Sequence, residues 1–317
     1  MKQFDERDTL FARMAWRRDS KAYRDYYKRH PEKFQIDEHL RKMIQKQEAN
    51  PTVDPLKAKM VDAAFEFLAE INHLSEGKPA DNKSSVDSEI ISNYLKKYAG
   101  DYGADLVGIT KIKADNFYSH RGRKEENYAE PAIRDHQYAI VFAVEMDKEK
   151  IDMAPAIEES IETSRIYVKA AMIGMVLSYY IRSLGYEARN HMDANYLLPL
   201  PPLAEQAGLG EMGRIGFLVT KEFGPRVRLG AVTTNLELIA DVKKDLGIRE
   251  FCGTCHICEK ACLAQAIASG GAQKEEGRYF WQTQGEKCYE VWKRIGTDCG
   301  VCMKVCPLGN GELRIRN

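Results

Sequence analysis

The first 85 positions scatter single apolar residues among charges without a sustained period, which predicts short helices and irregular wrapping segments. Asn82–Ser88 reads as a polar linker. From about residue 89 the pattern changes. Glu89–Ala99 repeats apolar positions at helical spacing. Asp105–Thr110 and Tyr138–Met146 are short apolar runs rich in β-formers, as expected of buried strands. Ile161–Leu184 places apolar residues three and four apart and stops at Gly185, which predicts a long amphipathic helix. Gly216–Thr220 and Val227–Thr234 are further strand candidates. The fold class expected is α/β, divided into a charged helical segment (1–88), a core (89–245) and a C-terminal module (246–317). The paired cysteine runs are the single internal repeat.

The composition sets bounds. The chain has 317 residues, 44% hydrophobic and 30% charged, with 47 Lys+Arg against 47 Asp+Glu. That supports one large domain or two smaller ones and excludes wholesale disorder. Balanced charge supplies no global field for nucleic acid or an anionic membrane. No stretch approaches 18 consecutive apolar residues. Met1–Arg18 is polar, and Arg17-Arg18 is followed by Asp-Ser-Lys-Ala-Tyr-Arg rather than an apolar export segment. A cytoplasmic protein is expected. Residues 13–34 combine eight Lys/Arg and three Asp/Glu with Trp16, Tyr23, Tyr26, Tyr27 and Phe34. Such a stretch can bind RNA. With no supporting net charge, the favoured reading is a solvated helix whose aromatics pack on the protein.

The chemistry lies near the C-terminus. All eight cysteines fall between 252 and 306. One group is Cys252-x-x-Cys255-x-x-Cys258-x-x-x-Cys262, and the other is Cys288, Cys299-x-x-Cys302-x-x-x-Cys306-Pro307. The first has the cysteine spacing of a bacterial [4Fe–4S] run, with Leu263 in place of the usual proline. Two-residue gaps let one tight loop wrap three corners of a cubane, and the fourth cysteine of such a run serves the other cluster. Cys252, Cys255, Cys258 and Cys306 are therefore expected to hold one cluster, and Cys262, Cys288, Cys299 and Cys302 the second. The alternative is a pair of four-cysteine zinc sites, which favour separate C-x-x-C knuckles over a triple run.

Two motifs mislead. Gly208-Leu209-Gly210-Glu211-Met212-Gly213 spells G-x-G-x-x-G, but a dinucleotide loop follows a strand and opens a helix. Here a helical stretch precedes it and a strand-like one follows, so NAD and FAD are excluded on this ground. The glycines instead permit a tight turn or close approach to something flat. Asp37-Glu38-His39-Leu40 hints at a cobalt-ligating D-x-H-x-x-G run, yet Lys42 occupies the glycine position. It is read as chance.

Taken together, Asp5-Glu6-Arg7-Asp8 with Phe11-Ala12-Arg13, Tyr26-Tyr27-x-x-His30-Pro31-Glu32, Ser183-Leu184-Gly185-Tyr186, Ala207-Gly208-Leu209-Gly210-Glu211, Gly213-Arg214, Phe223-Gly224-Pro225-Arg226-Val227-Arg228-Leu229 and Val232-Thr233-Thr234, followed by both cysteine runs, form a familiar series. The chain resembles the corrinoid-dependent reductive dehalogenases and, more distantly, the epoxyqueuosine reductases. The resemblance implies a modified nitroreductase-like core holding base-off cobalamin, with a ferredoxin-like module carrying two [4Fe–4S] clusters beside it. It implies that Gly208, Leu209, Gly210, Gly213 and Arg214 lie against the corrinoid. It also implies a tyrosine proton donor, an asparagine and an arginine above cobalt, at Tyr167, Asn195 and Arg228.

Asp193 stands near the acid used by the epoxyqueuosine reductases, so Tyr167 and Asp193 both remain proton-donor candidates. Tyr196 stands where the dehalogenases usually have Asp. With eleven residues following Cys306, no C-terminal lid is expected. The implied reaction replaces halide by hydrogen on an organohalide, with electrons from a donor such as a ferredoxin or flavodoxin. Two other readings stay open: a tRNA-modifying cobalamin reductase, and an electron-transfer protein that uses the clusters alone.

Overall fold

The apolar run at Tyr138–Glu145 forms the second strand of a four-stranded sheet in a computed structural model that describes residues 3–43, 53–275 and 278–309. Leu106–Lys111 lies on one side of it and Val227–Thr234 on the other, with Ala188–His191 at the far edge. Every neighbouring pair is antiparallel. Alternation along Tyr138–Glu145 sorts its side chains onto two faces. Ile140, Phe142 and Val144 join a core with Leu95 and Ile173, whereas Ala139 and Val141 join one with Leu203 and Phe117. Both faces are covered, which is why the run reads as almost continuously apolar. Phe142 faces Gly230 across the ladder, where any Cβ would meet its ring at 2.4 Å.

Helices Ser88–Asp101 and Ile157–Ser183 cover the first face. Asp87 ends the linker by accepting from the Glu89 and Ile90 amides, which caps the first of them. The second begins one turn earlier than its apolar pattern, because Glu158 and Glu159 belong to it. Helix Leu200–Gln206 covers the other face.

Three expectations need correction. The strand expected over Gly216–Thr220 shrinks to Leu218–Val219, paired with Glu211–Met212 in a small hairpin, because the Gly213 amide donates to the Phe217 carbonyl and turns the chain. The edge strand Ala188–His191 has no apolar pattern. Its Arg189, Asn190 and His191 are nonetheless buried. The N-terminal segment includes one longer helix, Pro55–Ile71, which packs on Ile157–Ser183.

The aromatics of the basic N-terminal stretch pack inward. Trp16, Tyr26 and Tyr27 share a buried cluster with Tyr128. Asp37 is fully buried, paired with Arg13 at 3.2 Å and accepting from Tyr27 at 2.8 Å, and His39 is exposed. Both observations fit the bland readings of those motifs. Arg13 and Lys33 also reach Glu286 at 2.9 and 2.7 Å, which holds the N-terminal helices against helix Gly285–Ile295. Among the described residues, no helix is long and apolar enough to cross a membrane.

Candidate active site

The long helix places Glu159, Thr163 and Tyr167 four residues apart, so they form one polar ridge. Arg228, on strand Val227–Thr234, faces this ridge. Its Nη2 donates to Thr163 Oγ1 at 3.1 Å, and its guanidinium carbon lies 5.2 Å from the Tyr167 ring centre. Glu159 Oε1 accepts from Thr163 at 3.1 Å. Burial raises the Tyr167 phenol above its ordinary value, and the Arg228 charge pulls in the opposite direction. Burial, reinforced by Asp298, lifts Glu159 to about 7.

These groups open into a cavity of about 400 Å³. Leu198–Pro201, Leu218 and Leu229 supply apolar wall, and Tyr118 and Tyr196 add phenols. Phe11 adds a ring from the N-terminal segment, and the C-terminal module supplies much of the remaining wall, including Cys262, Cys288, Cys299 and Cys302. The four thiols expected to hold the second cluster therefore border the same space as Tyr167 and Arg228.

The first group, Cys252, Cys255, Cys258 and Cys306, lies outside that lining. Burial raises Cys252 to about 11, with Cys306 and Cys255 adding to the effect. It raises Cys258 to about 12, with Cys252, Cys306 and Cys255 adding. In the second group, burial raises Cys288 to about 11, with Cys299 and Cys262 next in weight. Cys302 rises furthest, under burial, Cys299 and Cys288. Cys302 also feels Cys258, so the groups adjoin. All eight thiols are free. Among the described residues, no three His, Cys, Asp or Glu side chains are placed to share a single metal ion. Buried, mutually repelling thiols fit polynuclear clusters, whose iron ionises them.

Other expected residues are placed differently. Asn195 is buried but does not line the cavity. Its Oδ1 accepts from Arg189 Nη2 at 2.7 Å, and its Nδ2 donates to the Asn72 carbonyl at 3.3 Å. Both ends of the amide are engaged by protein. Asp193 sits 3.9 Å from Arg123 and is also outside the lining.

The glycine turn packs closely on its neighbours. A Cβ at Gly208 would lie 2.7 Å from the Val242 carbonyl, one at Gly210 2.3 Å from the Val219 carbonyl, and one at Gly213 2.5 Å from the Val219 side chain. Leu209 is buried in the core, and Arg214 bonds the loop that bears the first cysteines. These five residues abut protein rather than the cavity. Sequence reasoning passed over Glu159 and Thr163, although their spacing from Tyr167 was a usable signal. It also passed over Asp298 and Trp292, which only the folded module brings to the cavity.

Residues 251–310 match the model of the 4Fe–4S dicluster domain family. The chain is 31% identical to the tetrachloroethene reductive dehalogenase of Sulfurospirillum multivorans, covering 76% of this chain and 54% of that protein. It is 36% identical to the enzyme of the same name from Dehalobacter restrictus, covering 69% and 39%. Over 34% of its length it is 34% identical to the epoxyqueuosine reductase of Lactococcus garvieae. A solved catabolic reductive dehalogenase superposes on the whole chain with a TM-score of 0.73 at 26% identity, covering 46% of that structure. A second, described as suggesting a mechanism for B12-dependent dehalogenation, gives 0.70 at 26% identity over 84% of this chain and 39% of its own. The chain thus spans about half the length, or less, of the relatives it matches. The α/β core followed by a dicluster module is the expected architecture.

Proposed function

We propose, from a chain that is homologous to the reductive dehalogenases over most of its length, that it is a corrinoid- and iron–sulfur-dependent reductase replacing halide by hydrogen on an organohalide. One observation carries the reading: the second group of thiols and the Tyr167–Arg228 pair border one cavity. An electron-transfer protein that used the clusters alone would have no need of that space.

The chemistry of the lining is compatible with a macrocycle that has an apolar body and polar edges. The cavity's walls are largely apolar, and Arg228 Nε, Glu159 Oε2 and Trp292 Nε1 on them are buried polar atoms without a partner. Among the described residues, no histidine lines it. When bound, the corrinoid supplies a strongly reducing, nucleophilic cobalt, and the clusters supply single electrons.

The residues do the rest. Cys262, Cys288, Cys299 and Cys302 hold the second cluster against the cavity. Tyr167 holds a proton on its phenol oxygen and delivers it to the carbon that loses halide. Arg228 stabilises the tyrosinate left behind, since a nearby cation favours the anionic form. The apolar wall from Leu198 to Pro201 excludes water that would compete as proton source. Tyr167 is preferred to Asp193 because it lines the cavity and Asp193 does not. A small one-electron donor in the cytoplasm, such as a ferredoxin or flavodoxin, would serve the first cluster.

The test is anaerobic reconstitution with iron, sulfide and cobalamin, followed by metal counting and a panel of organohalides. Bound cobalamin with halide release supports the proposal. A preparation that takes up clusters but no corrinoid removes it.

A further inference from the structure

We propose that Arg214 is a positioning residue for the first cluster: it fixes the loop bearing Cys252, Cys255 and Cys258 and sets a buried positive charge beside it. The inference rests on the dicluster assignment and is independent of dehalogenation. Arg214 is 1% exposed. Its Nε donates to the carbonyls of Cys252 at 2.9 Å and Cys255 at 3.1 Å. Its Nη1 donates to those of Ala268 and Gly270, both at 2.9 Å. Its Nη2 donates to that of Gly253 at 3.1 Å.

A guanidinium offers five N–H donors in a rigid fork, whereas an ammonium offers three from one point. This fork ties the ligand loop to the turn at 268–270. The same Gly270 carbonyl also accepts from Trp281 Nε1 at 3.1 Å, and the Trp281 ring lies 5.5 Å from the guanidinium carbon. The preceding residue passes beside a ligand, since a Cβ on Gly213 would stand 3.6 Å from Cys252 Sγ.

The charge matters as well as the geometry. The paired carboxylate is Glu259, at 3.8 Å and half-buried, and it also contacts His256 at 2.5 Å. The carbonyls neutralise none of the guanidinium's charge. A cluster gains negative charge on reduction, so a buried cation favours the reduced state and a nearby carboxylate opposes it.

The full chain, reconstituted anaerobically with iron and sulfide, is titrated by electron paramagnetic resonance, with iron counted before and after exposure to a chelator. Arg214→Gln lowers the first cluster's midpoint potential and leaves the second's unchanged, or fails to retain the first cluster while keeping the second. Arg214→Lys keeps most of the potential but loses iron several-fold faster, because charge survives and the fork does not. Glu259→Gln raises the potential with the fork intact, which reads the charge even where Arg214→Gln does not fold. Unchanged first-cluster potentials in the Gln variants, or a Lys variant as resistant to chelator as the parent, would overturn the proposal. An unsubstituted chain showing no iron–sulfur signal overturns it together with the cluster assignment.

Discussion

Tyr167 and Arg228, far apart in sequence, meet because the long helix crosses the strand beside it. Tyr167→Phe is expected to lower turnover by about 10²–10⁴-fold, with iron and corrinoid content unchanged; normal turnover would remove Tyr167 as donor. The pH dependence has a definite sign. The phenol's value is raised, so the proton is in place through neutral pH and is lost only as pH climbs through that raised value. Turnover should be level across neutral pH and decline on the alkaline side. Arg228→Gln should move that decline to higher pH while lowering the plateau, because the phenol becomes a weaker acid. A pH–rate profile of each variant checks both. At this scale the resemblance supplied Tyr167 and Arg228. It supplied Asn195 as well, and nothing local in the sequence announces that Arg189 and Asn72 bond its amide.

Among the elements, the glycine hairpin separates packing from cofactor contact. Gly210→Ala forces a methyl group against the Val219 carbonyl, so the cofactor-free protein should lose about 1–3 kcal/mol by overpacking. Thermal or urea unfolding of the apoprotein measures it; a change seen only with corrinoid bound would instead support the original expectation for this turn.

Strand Ala188–His191 makes a second case. His191 Nε2 and His136 Nδ1 lie 2.9 and 2.8 Å from the Thr233 hydroxyl. Burial lowers His136 to about 4 and His191 well below its usual value. Both are neutral in the fold, whereas an unfolded histidine takes up its proton near 6.5. Their contribution is therefore intact above about pH 6.5 and is lost as pH falls from there toward 4. Melting temperature followed over that range should drop, and Thr233→Val should lower it at neutral pH as well. The strand was illegible in sequence because the partners of its polar residues, Glu76, Asn195, Ala171 and Thr233, come together only in the folded core. The apolar strands and the long helix were legible because their periods record burial directly.

For the whole molecule, the central feature is the contact between core and cysteine module. Met303 and Cys302 pack into the main hydrophobic core, so the module is knitted to the core that bears Tyr167. Sequence spacing alone partitioned the eight cysteines; the thiols of Cys258 and Cys288 have neighbours from their own group, whereas Cys302 also neighbours Cys258 of the other. What spacing could not convey is which group borders the cavity. The most direct measurement is halide release under strongly reducing, oxygen-free conditions by chain loaded with iron, sulfide and cobalamin. Stoichiometric iron and corrinoid, with halide appearing only when both are bound and ceasing in Tyr167→Phe, is the result expected. A fully loaded protein that frees no halide from any organohalide offered would contradict the account.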